Sequence, residues 1–145
     1  MKFAEEASND FDFLSEEQKS AFIRALIYLA KADGNLDDGE MDYIIALADA
    51  NGISHREVIK FEKEDSVESI LKALSDIKER RVALEVIKEF FLLAYTDNEL
   101  SEEEMIFIGK CGTAMGIEPE KIEQISNWVI DRIVWLEQAR IIFED

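Results

Sequence analysis

Leu29-Ala-Lys-Ala-Asp-Gly-Asn-Leu-Asp-Asp-Gly-Glu-Met-Asp-Tyr-Ile44 returns later in the chain as Leu93-Ala-Tyr-Thr-Asp-Asn-Glu-Leu-Ser-Glu-Glu-Glu-Met-Ile-Phe-Ile108. The shared frame is Leu-Ala-x-x-Asp-x-x-Leu-x-x-x-Glu-Met-x-x-Ile. Laying residues 23–61 on 87–125 needs no gap, and it also pairs Ile23 with Ile87, Ala50 with Ala114, Gly52 with Gly116 and Ile53 with Ile117. A fixed offset of this kind means that one supersecondary unit is used twice. The repeat halves run from about 15 to 75 and from 76 to 143. They predict one all-α domain over 15–145, a seven-helix bundle of two pseudo-symmetric repeats.

Helix signals fill out the frame. Ser15-Glu-Glu-Gln18 reads as a capping box, followed by Phe22, Leu26, Leu29 and Ala30 at helical spacing to about Ala32. Asp37-x-x-Glu40 caps a second helix with Met41, Ile44, Ile45 and Ala48 on its stripe, and Gly52 with Ile53 ends it. Ser54-x-x-Glu57 starts a third, Val67–Ser75 makes a fourth, and Asp76-x-x-Glu79 is the predicted cap of a fifth carrying Val86, Ile87, Phe90, Phe91 and Ala94. Ser101-x-x-Glu104 caps a sixth with Met105, Ile108 and Gly112 on its stripe. Pro119 suits the first turn of a seventh that reaches about Ile142. Residues 1–14 show no period and read as an N-terminal arm held by Phe11 and Phe13.

Composition narrows the function. The 145 residues hold 33 acidic and 16 basic side chains, a net charge of −17, with the acids spread throughout. Such a field repels phosphate backbones and anionic membranes, so nucleic acid is excluded as a partner and a cation or a basic protein surface is favoured. Hydrophobic residues make up 48% of the chain and there is one proline, which suits a packed helical core. Cys111 is the only cysteine, so no intramolecular disulfide forms. Met1–Glu17 has no apolar core of a signal peptide, and Phe90–Tyr95 is the longest apolar run, far short of a membrane span. The expectation is a cytoplasmic protein with no membrane insertion.

With the repeat, Ala30–Glu40 (Ala-Lys-Ala-Asp-Gly-Asn-Leu-Asp-Asp-Gly-Glu) and its echo at Ala94–Glu104, the chain resembles the TerB-like family over about residues 15–140. That family is named for tellurite resistance and also supplies the N-terminal domain of a DnaJ-like membrane co-chaperone. The resemblance implies a pseudo-symmetric fold of seven or eight helices, a stress-response context and an acidic metal-binding site. Matched position by position, that site would draw on Asp33 and Glu40 in the first half and on Asp97 and Glu104 in the second. The second copy departs at Thr96 and Asn98, where the first has Ala32 and Gly34. No His-Pro-Asp tripeptide occurs, so co-chaperone activity is not implied.

The acidic residues admit two readings. Glu40 and Glu104 stand at the third helical position, where a capping box and the helix dipole both favour a carboxylate. Asp33 and Asp97 follow the C-terminal end of a helix, where a carboxylate is disfavoured by about 0.3–1 kcal/mol, so each needs compensation. An Asx-turn supplies it, as would a hard cation shared by Asp33, Asp37 and Glu40 with Asn35. An EF-hand is rejected, because Asp38 takes the place of the loop glycine and Ile44 that of the bidentate glutamate. Any ion is a weakly held Mg2+ or Ca2+, and no other cofactor is expected.

Nothing else in the sequence carries chemistry. His55 reads as a solvated turn residue, and Cys111, aligned with Leu47, as a small core residue. No phosphate loop, Ser-His-Asp set or zinc-binding His pair occurs. The function expected is therefore a non-enzymatic module that binds a protein partner, with a weak divalent ion as regulator. The alternatives are a hydrolase that uses both acidic turns as a two-metal site and a purely structural assembly domain. The last helix carries apolar residues all round, from Ile122 through Trp128 and Trp135 to Phe143, which predicts one face buried and another, anchored by Trp128 and Trp135, open to a partner or a second copy unless the arm covers it.

Overall fold

The computed structural model describes residues 14–32, 38–63, 66–95 and 100–144, which hold seven helices and no strand. They are α1 (Glu16–Lys31), α2 (Asp38–Ala50), α3 (His55–Lys63), α4 (Val67–Leu74), α5 (Arg80–Ala94), α6 (Glu102–Ala114) and α7 (Pro119–Phe143). The starts of α5, α6 and α7 lie 64 residues after those of α1, α2 and α3 (16 to 80, 38 to 102, 55 to 119). Neighbour relations recur with the same offset. α1 packs on α2 and α3, which also pack on each other, and α5 packs likewise on α6 and α7.

Local chemistry sets most of these boundaries. Ser15 Oγ accepts the Gln18 N–H at 3.1 Å while the Ser15 N–H donates to Gln18 Oε1 at 2.9 Å, so two orphan donors of α1 are satisfied reciprocally. Ser54 with Glu57 does the same for α3, and Ser66 Oγ accepts from the Ser69 N–H ahead of α4. Gly52 and Gly116 adopt φ of 78° and 77°, left-handed values that a glycine takes without strain. Each lets the following isoleucine turn back. The Ile53 N–H reaches the Ala48 carbonyl at 2.9 Å and the Ile117 N–H the Gly112 carbonyl at 2.8 Å, closing α2 and α6 with the same motif.

Two sequence expectations fail here. Asp76 does not cap α5, which starts at Arg80 after Glu79 with no side-chain cap. The Asp76 and Ile77 N–H groups instead extend the α4 turn by bonding to the Ala73 and Leu74 carbonyls, and Ile77 is buried. Burying an isoleucine outweighs a cap worth about 1 kcal/mol, and the link is drawn into the core. Met105, expected on the α6 stripe, is 37% exposed. Leu14, assigned to the N-terminal arm, is buried against the core; the rest of the arm lies outside the described residues.

The core is built on α1, which packs against α2 to α6 and buries Phe22, Ile23, Leu26, Ile27 and Leu29 fully. Phe22 stacks on Phe90 of α5 with ring centroids 6.0 Å apart. Repeat-related pairs share their burial: Ile23 and Ile87, Leu29 and Leu93, Ile44 and Ile108, and Ile53 and Ile117 are all in the core. Cys111 is fully buried too, and burial pushes its thiol well above the ordinary range.

Candidate functional site

The helices that flank the two acidic segments are anchored in corresponding places. Lys31, the last residue of α1, donates from Nζ to the Glu62 carbonyl in α3 at 2.8 Å. At the matching offset, Tyr95 after α5 shares a 3.1 Å hydrogen bond between its hydroxyl and Ser126 Oγ in α7. Residues 31 and 95 correspond, as do 62 and 126. Different chemistry therefore holds the chain at equivalent points before each turn.

Asp33, Asp37 and Asp97 lie outside the described residues, and so do Asn35, Thr96 and Asn98. Glu40 and Glu104, on the far side of the turns, are 5% and 3% exposed in the first turns of α2 and α6. Glu104 closes a capping box: its N–H donates to Ser101 Oγ at 3.1 Å, and the Ser101 N–H donates to Glu104 Oε1 at 2.9 Å. One Glu104 oxygen is thus spoken for by the backbone. Among the described residues no group of three or more His, Cys, Asp or Glu side chains is placed to hold a metal ion.

The two aromatic residues expected at an interface are on α7, a helix that leaves the bundle. Its early turns bury Ile122, Ser126 and Val129 against α5 and α6. Gly112 makes this approach close, because a Cβ there would lie 2.3 Å from Ile122 Cδ1. An exposed ion pair between Arg80 and Glu118 joins the starts of α5 and α7, and this partner holds the Glu118 carboxyl below its usual range. After Val129 no residue of α7 is fully buried. Trp128 is 44% exposed, Trp135 66% and Phe143 84%, and Val134, Leu136, Ile141 and Ile142 are exposed between them. These side chains are spread over the last four turns, a density of exposed large apolar residues of the kind that marks an interaction surface.

Beside the early part of this face is a pocket of about 390 Å³ lined by Arg81, Lys88 and Lys121 with Glu85, Ile125 and Trp128. Lys88 and Arg81 both bind Glu85. Burial pushes the Glu85 carboxyl up, but these two cations outweigh it and bring it below the ordinary value. Three cations against one carboxylate leave the pocket positive in a chain of net charge −17.

The sequence reading missed a buried polar contact between halves. The Tyr43 hydroxyl of α2 donates to Glu89 Oε2 of α5, and Glu89 is 2% exposed. Burial raises the Glu89 carboxyl above its ordinary range, with repulsion from Glu85 added; the Tyr43 bond, Lys88 and Arg132 of α7 oppose the shift without cancelling it. Burial also raises the Tyr43 hydroxyl, with the Glu89 charge and bond acting the same way. The signal was present in the sequence: Glu89 keeps helical spacing with Val82, Val86 and Leu93, a carboxylate on an apolar stripe.

Comparison with protein families matches residues 1–63 to the family model described as Tellurite resistance protein TerB. The matched stretch takes in α1, α2, α3 and the first acidic turn, and it supports a TerB-like assignment. No curated protein and no solved structure matches the chain.

Proposed function

We propose that this TerB-like chain works as a non-enzymatic helical module in a stress response of the tellurite- or metal-resistance type, docking a protein partner through the end of α7. The observation that carries the reading is the run of exposed large apolar residues from Trp128 to Phe143, with Trp135 at 66% exposure. Tryptophan anchors binding energy out of proportion to its frequency, because it brings a large apolar area with few rotatable bonds. A weak divalent cation at the acidic turns is the regulatory part of the proposal. It rests on Glu40 and Glu104, carboxylates kept inside the fold directly after those turns, and on the match of the first turn to the TerB family.

Two measurements test the parts separately. A photo-crosslinking residue placed at Trp135 in the full chain is expected to form protein adducts in cells, while one at exposed His55 does not; equal adducts at both positions would defeat the docking surface. Metal-stripped protein is expected to melt several degrees higher with millimolar Mg2+ or Ca2+, since an ion at 100 times its Kd adds about 2.7 kcal/mol. Asp33→Asn abolishes that gain and Asp97→Asn reduces it less. No shift with Mg2+, Ca2+, Mn2+ or Zn2+ leaves the turn residues with a capping role alone.

A further inference from the structure

The pocket between α5 and α7 has two unlike ends. The Arg80–Glu118 ion pair joins the starts of the two helices, so Arg81 and Lys121 share one end, and Lys88 and Trp128, each seven residues further on, share the other. Seven residues are two turns along one side of a helix, about 10.5 Å at 1.5 Å per residue. Leu84 and Ile125 make the wall apolar between the ends. Glu85 is already clasped by Arg81 Nε and by the Lys88 ammonium. The terminal amino groups of Arg81 and the ammonium of Lys121 make no hydrogen bond among the described residues.

The internal repeat shows that the fold does not demand this charge. Shifted back by 64 residues, the pocket positions carry three acids, Glu17, Glu57 and Glu64, against two bases, Arg24 and Lys60. The pocket itself carries three bases against the single acid Glu85. Arg81 and Lys121, the two cations with donors to spare, stand where the first half has Glu17 and Glu57, and Trp128 stands where it has Glu64. One helical frame thus holds opposite charge balances at corresponding places, and the positive one occurs in a chain where acids outnumber bases two to one.

We infer that this pocket binds a small phosphate ester carrying a flat ring, the chemistry of a mononucleotide, with the phosphate between Arg81 and Lys121 and the ring against Trp128. The forked amino groups of Arg81 suit two phosphate oxygens, and Lys121 adds a point charge. A phosphate monoester brings a charge of about −1.5 to −2 at neutral pH, which balances the pocket. Gln124, on the same wall, offers a donor and an acceptor to ring heteroatoms. The volume of about 390 Å³ falls in the range of small-molecule sites. A single phosphate is held locally, while the net charge of −17 still repels nucleic acid. This goes beyond the docking at the end of α7 and does not depend on it.

Calorimetric titration of the full chain with AMP, adenosine and inorganic phosphate tests the inference. AMP is expected to bind with a sub-millimolar Kd, and adenosine and inorganic phosphate each at least tenfold more weakly. Lys121→Glu, which installs the acid that the first half has there, is expected to weaken AMP more than tenfold, and Lys121→Gln about fivefold. Trp128→Ala is expected to weaken it about tenfold through lost stacking. Lys60→Glu at the corresponding place on α3 makes the same change in net charge and is expected to leave binding as it was. Lys60, Lys121 and Trp128 are exposed or half-exposed, and circular dichroism confirms that each variant is folded. No binding of AMP at millimolar concentration overturns the inference. Equal losses from Lys121→Glu and Lys60→Glu overturn it too, because the general field would then account for the effect, as does inorganic phosphate binding as tightly as AMP, which leaves the ring no part.

Discussion

Gly109 and Gly112 lie one turn apart in α6, and replacing each with alanine is expected to have opposite consequences. A Cβ at Gly109 meets nothing within 4 Å. Alanine there gains only helix propensity, about 0.8–1.0 kcal/mol, or a rise of roughly 2–4 °C in melting temperature for a domain of this size. A Cβ at Gly112 would sit 2.3 Å from Ile122 Cδ1, 3.1 Å from Ile122 Cγ1 and 3.7 Å from Ile87 Cδ1. The first contact is relieved by turning the Ile122 terminal methyl, but Ile122 is 5% exposed and its new position has to displace packed neighbours. Overpacking of this kind costs about 1–3 kcal/mol, and the propensity gain offsets about 1 of it. The net expectation is a loss of about 0–2 kcal/mol for Gly112→Ala against a gain for Gly109→Ala. Chemical denaturation of both proteins reads the difference directly, because the propensity gain is common to both. Ile122→Val removes the clashing methyl, so combined with Gly112→Ala it should cost less than the two single changes added. If Gly112→Ala stabilises as much as Gly109→Ala, α7 does not approach α6 as closely as described, and the placement of the exposed α7 face loses its foundation.

The Ser101 cap gives a second expectation: Ser101→Ala strips the acceptor from the Glu104 N–H and should cost about 1 kcal/mol, read as a lower denaturation midpoint. No loss would mean that the box does not hold the start of α6. Glu89 gives a third. Its carboxyl is raised in the fold above an ordinary value of 4.5, so its stabilising contribution is full below about pH 4.5 and is lost as pH rises through the raised value. Glu89→Gln keeps an acceptor for the Tyr43 hydroxyl and removes the charge that burial disfavours. Its stability should therefore fall less steeply than wild type on raising pH from 4.5 toward neutrality, and two parallel profiles would show that Glu89 is not the group responsible.

What the sequence disclosed follows the range of the forces involved. Capping at Ser15, Ser54 and Ser101, the left-handed stops at Gly52 and Gly116, and Pro119 opening α7 depend on bonds within a few residues, and each can be read from spacing alone. The offset of 64 residues between helix starts was legible for the same reason, because the same local signals recur in the sequence at that spacing. Asp76 misled because its spacing to Glu79 imitates a cap, while the burial of Ile77, a tertiary effect, decides where α5 begins. Met105 fits the apolar rhythm of α6, but the rhythm cannot say which turn lies beyond the last neighbouring helix. The Tyr43–Glu89 bond joins residues 46 apart in sequence, and the positive pocket draws on two helices, so neither has a local signature. Of the candidate site, the exposure of Trp128 and Trp135 followed from an apolar perimeter too wide for one contact face. Asp33, Asp37 and Asp97 lie outside the described residues, so the proposal that they bind an ion is decided by the melting measurement.

Docking through α7 requires that the far end of the helix be open to solvent in the isolated chain. Trp128→Phe leaves Trp135 as the sole tryptophan, and acrylamide quenching of its fluorescence at nanomolar protein reports its accessibility in the isolated chain. Quenching close to that of a solvent-exposed tryptophan is expected, in keeping with 66% exposure. A Trp135 shielded as strongly as a core tryptophan in the isolated chain would contradict the docking surface, because the face would then be covered from within the chain.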